Sequence, residues 1–348
     1  MSRSVLIGVL ILNLQTLLGN SRLITDIQTV QNNHNDFSFV SLSAEQDSLP
    51  NKISRIQTVP NFLAETSALC ETKDGIWSIN DSHNPSELIL LKREAYSNWR
   101  DNGIPLLENH FVIFDLAYEN HDWEALETDG HYLYIGDFGN NKGNRKNLRI
   151  IKISIDSLRR RMNESGGKAA YKLPENDGIT QIYSNNYKQV LRINCKNVAG
   201  EIISFNYSNQ KEFSARRLHN FDCEAMVVRK NSILLLSKNW KNLKCNIYEL
   251  PKNAGNYTLK KSGSFNPKFL ITDATEADGK IFFCGYERSG KQYIGSISNS
   301  DYGQCERKKI ALKPAQIEGI HFDKTSKQFL LSTEARKTQL QALVLIKN

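Results

Sequence analysis

Two short stretches of the chain place carboxylates where they could do chemistry. They are "NHDWEAL", with Asp122 and Glu124, and "NFDCEAM", with Asp222 and Glu224. In both stretches the two acids stand at the start of an apolar run that is typical of a buried β-strand. Because burying an ionised carboxylate without a partner is costly, these acids predict either a bound cation or a set of hydrogen-bond donors around them.

Weaker copies of the same opening recur as "AETSAL", "TDATEA" and "QIEGIHF". After each opening come an apolar strand and a third strand, separated by turn residues such as Gly, Asn and Asp. A repeat of about 40–50 residues with this content is typical of β-propeller blades. The five acids that lead the repeats are Glu65, Glu124, Glu224, Asp273 and Glu318.

The repeats predict an all-β fold, a β-propeller with four-stranded antiparallel blades. Six blades are preferred and five are allowed, because the stretch from Glu124 to Glu224 is about twice as long as the other spacings. Residues 179–218 would supply the sixth blade, and 157–199 would be an insertion or part of it. The last blade lacks room for a fourth strand, so "KISRIQT" at 52–58 is expected to close the ring.

The beginning of the chain predicts export. Arg3 precedes an apolar run of roughly 15 residues, too short to span a bilayer, and this predicts a signal peptide over 1–20. Residues 21–51 are interpreted as a polar leader and 52–348 as one propeller domain. The protein is therefore expected to be secreted or periplasmic, without a membrane segment after signal cleavage. All six cysteines follow the leader, so disulfides are allowed, although the pairing is left open.

The net charge of +8 is spread along the chain. Basic runs such as "KGNRKNLR" have no interleaved aromatic residues, which argues against nucleic-acid binding. We interpret these runs as solvated turns. The expected partners are a small molecule or a glycan, and the protein is expected to be a monomer.

In a propeller the first strands of the blades surround a central axis, so the five leading acids are expected to converge there. Carboxylates at close range repel one another unless a cation lies among them. Ligand sets made only of oxygen suit Ca²⁺ or Mg²⁺. The predicted metal ligands are Glu65, Glu124, Glu224, Asp273 and Glu318.

Further polar residues are expected at the mouth of the axis, from "NDS" at 80–82 and "GDFGNN" at 136–141. Arg145 and Lys238 would hold an anionic group. If the cation polarises an ester, lactone or phosphoester, Glu124 and Glu224 become candidate catalytic bases. The predicted ligand-binding residues are Asn80, Asp81, Asp122, Asp137, Asn140, Asn141, Arg145, Asp222 and Lys238.

Two other interpretations stay open at this point. The leading acids could accept backbone N–H groups of the neighbouring blade and serve the architecture alone. The protein would then bind a partner protein or a glycan without catalysis. No GxSxG, HExxH, Walker or GxGxxG motif supports another enzyme class.

Several stretches resemble a set of bacterial exported β-propeller proteins that are largely uncharacterised. They are "WSINDSHNPSEL", "HDWEALETDGHYLYIGDFGNN", "NFDCEAMVVRKNSILLLSKNWKNLKCNIYELP" and "QIEGIHFD". The family reads W-x-x-N-D-S-G, D-W-E-D-[IL], Y-I-G-D-[IF]-G-[ND]-N and D-[CA]-E-A-[LM]. The chain departs from it at His83, where the family has Gly, and at Ala125, where the family has a second acid.

More distantly, the chain is similar to gluconolactonase and strictosidine-synthase propellers, whose axial carboxylates and Asn hold a divalent cation. The resemblance therefore implies a propeller with an axial cation site, and it implies no particular activity.

Overall fold

The structure, a computed structural model, describes residues 52–165, 190–312, 316–335 and 341–347. The predicted signal peptide and nearly all of the predicted leader lie outside these residues. Strands and helices are numbered here in chain order. Within the described part of the chain, no helix is long and apolar enough to cross a membrane.

The strands form five sheets, each with a four-stranded antiparallel meander. Blade 1 contains β2 (Thr66–Thr72), β3 (Gly75–Asn80), β4 (Glu87–Lys92) and β5 (Phe111–Asp115). Blade 2 contains β6 (Trp123–Thr128), β7 (Tyr132–Asp137), β8 (Arg149–Ser154) and β10 (Glu201–Tyr207). Blade 3 contains β11 (Cys223–Val228), β12 (Ser232–Ser237), β13 (Cys245–Pro251) and β15 (Lys261–Phe265). Blade 4 contains β16 (Leu270–Ala277), β17 (Lys280–Tyr286), β18 (Gln292–Ser298) and β19 (Cys305–Ile310). Blade 5 contains β20 (Gln316–Asp323), β21 (Gln328–Glu334), β22 (Ala342–Lys347) and β1 (Ile53–Thr58).

The innermost strands of the blades contact one another in a closed circle. Strand β2 lies against β6, β6 against β11, β11 against β16, β16 against β20, and β20 against β2 again. This arrangement is a five-bladed β-propeller, and it confirms the predicted order of acid-led strand, apolar strand and third strand in each blade.

The preferred count of six blades is wrong. Strand β9 (Leu191–Asn194) adds to blade 1 parallel to β5, and β10 completes blade 2 antiparallel to β8. Residues 212–218, expected to form a strand, are irregular. The open outer edge of an existing blade offers unpaired N–H and C=O groups. Strands β9 and β10 therefore pair with such edges, and neither adds an inner strand to the ring. The first predicted strand of the proposed sixth blade, at 179–183, lies outside the described residues.

In the described part of the chain, two α-helices and one more strand lie outside the four-stranded meanders. Helix α1 (Arg93–Asn102) connects β4 to β5, and α2 (Ile155–Glu164) follows β8. Strand β14 (Gly255–Leu259) pairs parallel to β10 as a fifth strand of blade 2. The predicted insertion at 157–199 therefore contains most of α2 and all of β9, and residues 166–189 within it lie outside the described part.

The N-terminal strand closes the ring, as predicted. Strand β1 pairs antiparallel to β22, with Ile56 opposite Val344 and Thr58 opposite Ala342. The Arg55 guanidinium donates to the carbonyl oxygens of Arg100 and Asp101 in α1, at 2.8 and 3.0 Å. Blade 5 is therefore built from strands that lie nearly 300 residues apart in the chain, β1 and β22.

Large side chains fill the space between blades. Trp77 and Trp123 are buried in one apolar cluster, whereas Trp240 is half-buried and donates to Asp222. All six cysteines are free thiols, so none of the disulfides that the sequence allowed is formed. His83 has a φ of 65°, the left-handed conformation that Gly adopts at no steric cost.

We expect removal of β1 to destabilise the ring strongly, because β22 would lose its outer partner. A chain that starts at Val59 should melt at least 10 °C lower than a chain that starts at Lys52, or should aggregate. Thermal denaturation followed by circular dichroism, together with size-exclusion chromatography, measures this. Equal melting temperatures for the two chains would contradict the closure.

Candidate metal centre

Each inner strand carries one β-bulge at the same place, shortly after the strand begins. The pairing between first and second strands shifts register by one residue there, in all five blades. A bulge re-aims the extra residue away from the regular alternation. The residues at the five bulges are Ser67, Glu124, Glu224, Thr272 and Glu318.

The two hydroxyl residues among these five connect neighbouring blades. Ser67 Oγ donates to the carbonyl oxygen of Trp123 at 2.9 Å. Thr272 Oγ1 donates to the carbonyl oxygen of Ile317 at 2.8 Å. The hydroxyls therefore tie blade 1 to blade 2 and blade 4 to blade 5, and the other three positions carry buried carboxylates.

Two of the predicted metal ligands occupy other positions than the repeat indicated. Glu65 lies two residues before its bulge, is exposed, and accepts from Asn84 Nδ2 at 2.7 Å. Asp273 lies one residue after its bulge and accepts from the backbone N–H groups of Ala274 and Ile320, both at 2.8 Å. Asp273 thus has the blade-connecting role that was the alternative to metal binding.

A second ring of side chains comes from the ends of the second strands. In each blade, the residue before the bulge pairs with a residue near the end of the second strand. In four blades the next residue along the chain belongs to this second ring. The residues of this ring are Asp81, Lys238, Tyr286 and Glu334, because Phe138, at the same position of blade 2, packs instead against Phe205 in the apolar core. The axial mouth, defined here as the bulge residues together with this second ring and Asp122, is the candidate site.

Blades 1 and 2 bring three carboxylates together at the axial mouth. Asp81, Asp122 and Glu124 each offer an oxygen atom, and these atoms all lie within 4.8 Å of one another. Gly139 packs directly against them, since a Cβ there would lie 2.4 Å from Glu124 Oε1 and 2.5 Å from Asp122 Oδ2. The absence of a side chain at Gly139 leaves room for the carboxylates to meet.

The same crowding changes the protonation of these groups. Burial raises the pKa of the Glu124 carboxyl well above its usual range, and the Glu224 carboxylate raises it further. Burial and the nearby Asp81 carboxylate raise the pKa of Asp122 to about 7. The pKa of Asp81 is also raised, mainly by burial. The surroundings therefore favour the protonated forms of these carboxyl groups over their ionised forms.

A buried ion pair stands beside this cluster. Lys238 Nζ lies 2.9 Å from Glu224 Oε2, and the two side chains are 5% and 2% exposed. The ammonium also lies 5.2 Å from the ring centroid of Trp240 and 5.4 Å from that of Tyr286. Burial still raises the pKa of Glu224 well above its usual range. Its other oxygen, Oε1, is buried without a hydrogen-bond partner in the described structure.

Glu318 and Glu334 form the blade 5 side of the mouth. Glu318 is buried at its bulge. Burial, the Glu318 carboxylate and Asp81 raise the pKa of Glu334 to about 8. Blades 1, 2 and 5 therefore contribute carboxyl groups to the mouth, and blade 3 contributes both Glu224 and the positive charge of Lys238.

Other predicted ligand residues support the loop around Gly139. Asp137 is fully buried and accepts from Arg145 Nη2 and Arg149 Nε, both at 2.8 Å. Arg145 also donates to the Gly139 carbonyl oxygen at 2.7 Å. Arg145 therefore holds the loop in place, and its charge lowers the pKa of the nearby Asp122 carboxyl without a direct hydrogen bond to the cluster among the described contacts.

Asn140 and Asp222 join blade 2 to blade 3. The Asn140 N–H donates to Asp222 Oδ1 at 2.6 Å, and Trp240 Nε1 donates to Asp222 Oδ2 at 2.7 Å. Asn80 Nδ2 donates to the carbonyl oxygen of Phe62 at 2.8 Å, and Asn141 is exposed. These four residues surround the axial mouth without joining the carboxylate cluster.

The sequence interpretation missed Glu334, Tyr286 and Gly139. A signal for the first two was present, because the apolar runs "IFFCGY" and "FLLSTE" end on Tyr286 and Glu334. The equivalent runs in blades 1 and 3 end on Asp81 and Lys238. Gly139 carried no such signal. Its role is to leave room beside Asp122 and Glu124, and its closeness to them becomes visible only in the folded blade.

The fold and the site together define a five-bladed β-propeller with an acidic axial mouth. No protein-family model and no curated protein matches the chain. Among solved structures it is similar to the glutaminyl cyclase of Myxococcus xanthus, with a TM-score of 0.44 and 11% identity over 86% of this chain and 100% of that one.

Two other similar structures are WD40 domains. That of Toxoplasma gondii coronin has a TM-score of 0.35 and 10% identity over 87% of this chain and 78% of that one. That of Neurospora crassa Pan2 has a TM-score of 0.33 and 8% identity over 81% and 75%. The propeller assignment rests on the strand topology, and these distant likenesses carry no conclusion about function.

Stability should depend on pH through the raised carboxyl pKa values. Asp122 and Glu334 bind their protons more tightly in the folded chain than in the unfolded chain. Their contribution to stability is therefore fully present below about pH 4 and is lost as pH rises to about 8. We expect the melting temperature in chelator to fall by at least 4 °C between pH 5 and pH 8.5. The double variant Asp122→Asn, Glu334→Gln should flatten this slope, and an equal slope in both proteins would contradict the assignment.

Removal of the Lys238 ammonium should leave Glu224 as an uncompensated buried charge. We expect Lys238→Met to lower the free energy of unfolding by about 3 kcal/mol. The double variant Lys238→Met, Glu224→Gln should recover most of this loss, because both charges are then absent. Urea denaturation measures both values, and a double variant no more stable than the single one would speak against the ion pair.

Proposed function

We propose that the axial mouth binds one divalent cation, Ca²⁺ or Mg²⁺, and presents it to a small ligand. The observation that carries this proposal is the convergence of Asp81, Asp122 and Glu124 oxygens within 4.8 Å of one another. These residues come from two blades, so their meeting is a property of the closed ring.

The donor set fits a hard cation. Carboxylate oxygens are the ligands that Ca²⁺ and Mg²⁺ prefer. Oxygen atoms of all three carboxylates lie within 4.8 Å of one another, so one cation could contact the three groups together.

Electrostatics supports the same proposal independently. Glu224 Oε1 is buried beside the cluster without a hydrogen-bond partner. Glu224 is also the carboxylate that raises the pKa of Glu124 most. A cation would relieve both costs, because it stabilises the ionised form of each carboxyl. Asp81 and Asp122 are half-buried, so a small ligand could reach the ion from solvent.

A metal-dependent hydrolase of a small ester, lactone or phosphoester is the second candidate. It is favoured by Glu224 Oε1, a carboxylate oxygen that lies beside the cluster and has no partner there. Such a group can serve as a general base for an attacking water. Binding of a protein or glycan without catalysis is the remaining alternative. Export through a signal peptide at 1–20, and a secreted or periplasmic location, remain predictions.

Loss of a cluster carboxylate should abolish tight cation binding. We expect Glu124→Gln and Asp122→Asn each to weaken Ca²⁺ binding at least tenfold, measured by isothermal titration calorimetry after chelator treatment. Glu249→Gln is the matched control, because Glu249 is exposed on β13. Affinity unchanged by either cluster variant, or no binding to the wild type at millimolar Ca²⁺, would overturn the proposal.

The same proteins decide between binding and catalysis. Wild type with Ca²⁺ is assayed against a panel of esters, lactones and phosphoesters. Turnover that is lost in Glu124→Gln and Glu224→Gln, and kept in Glu249→Gln, would establish the hydrolase. Cation binding without turnover on the panel favours the binding role.

A further inference from the structure

A second concave surface lies at the outer part of blade 2, and we call it the blade 2 cleft. The loop that follows β7 forms one wall, with Arg145, Lys146 and Leu148. The end of β10, the loop after it and Thr258 of β14 form the rest. Its volume is about 350 Å³, at the lower end of the range for ligand pockets, about 300–1,000 Å³. None of the residues assigned to the cation cluster lines it.

The floor of the cleft is apolar and rigid. Leu148, Phe205 and Tyr207 are all buried there. The rings of Phe205 and Tyr207 pack edge to face, with 5.7 Å between their centroids. An apolar floor of this kind can pack against the C–H face of a ring.

The rim of the cleft is positively charged. Lys146 and Lys211 are both exposed, and neither forms a salt bridge within the described residues. Lys146 Nζ lies 5.0 Å from the ring centroid of Phe213, which holds the ammonium over the cleft wall. None of the described residues that line the cleft is acidic. Arg145 shares the single Asp137 carboxylate with Arg149, so it adds further positive charge to the same wall.

Neutral hydrogen-bonding groups complete the cleft. Asn206, Ser208, Gln210 and Thr258 line it. Gln210 is buried, and its Nε2 donates to the Gly143 carbonyl oxygen at 2.9 Å, so the amide has a fixed orientation. Amide and hydroxyl groups around an apolar floor are suited to the hydroxyls of a sugar.

We propose that the blade 2 cleft binds an anionic monosaccharide, a sugar phosphate or a uronate. Lys146 and Lys211 would meet the charged group, and the sugar ring would lie on the floor formed by Phe205 and Leu148. The volume suits one sugar unit. A neutral sugar would leave both ammonium groups without a partner, and charge-assisted hydrogen bonds are the stronger ones.

Titration calorimetry on the purified protein tests this at 0.15 M salt, with glucose 6-phosphate and glucuronate as probes. We expect at least one of them to bind tenfold tighter than glucose and tenfold tighter than inorganic phosphate. The preference between the two probes distinguishes a phosphate from a carboxylate ligand. The double variant Lys146→Gln, Lys211→Gln should lose at least tenfold in affinity.

Two control variants separate this site from general charge effects and from the axial mouth. Lys230→Gln removes an exposed lysine elsewhere, and Glu124→Gln alters the cation cluster, and neither should change sugar binding. The proposal fails if neither anionic sugar binds at millimolar concentration, or if inorganic phosphate binds as tightly. It also fails if the double variant binds like Lys230→Gln.

Discussion

The unpaired backbone edge of the inner strands is the constraint on which the rest of the structure depends. Five first strands meet around one axis, and no further strand is available there to pair with them. Side chains at the bulges or next to them form hydrogen bonds with some of these unpaired backbone groups. The Ser67 and Thr272 hydroxyls donate to carbonyl oxygens of the next blade, and Asp273 accepts from the Ile320 N–H. Polar residues in an apolar strand are therefore required by the ring itself.

That requirement has an electrostatic consequence. Once polar residues must occupy the axis, three of the five bulge positions can carry Glu, and their carboxyls are desolvated together. Lys238 balances one of them through its contact with Glu224. The carboxyl of Glu124 has a raised pKa, and so do the neighbouring carboxyls of Asp122 and Glu334. A cation bound there would relieve this repulsion, and the proposed binding site would then follow from a requirement of the architecture.

The outer edges of the blades have a different origin. Strands β9 and β14 each add in parallel to a blade that already has four strands. The long stretch between Glu124 and Glu224 contains β9 and β10 and most of the residues that line the blade 2 cleft, whereas β14 follows at 255–259. Sequence spacing predicted an extra blade here, because spacing cannot tell whether a strand pairs with an existing edge or begins a new sheet. Hydrogen bonding decides that, through contacts between residues far apart in the chain.

The sequence by itself determined the propeller, the strand order within each blade and the closure by 52–58, because repeats and alternating apolar residues report local structure. It also identified Glu124 and Glu224 as members of the axial set. Only the tertiary structure decided that Ser67 and Thr272, and not Glu65 and Asp273, share their position. The physical reason is the bulge, which shifts register by one residue and is invisible in the spacing of acids. Likewise, the meeting of Asp81 with Glu124 beside Gly139 depends on how two blades pack, which no single segment encodes.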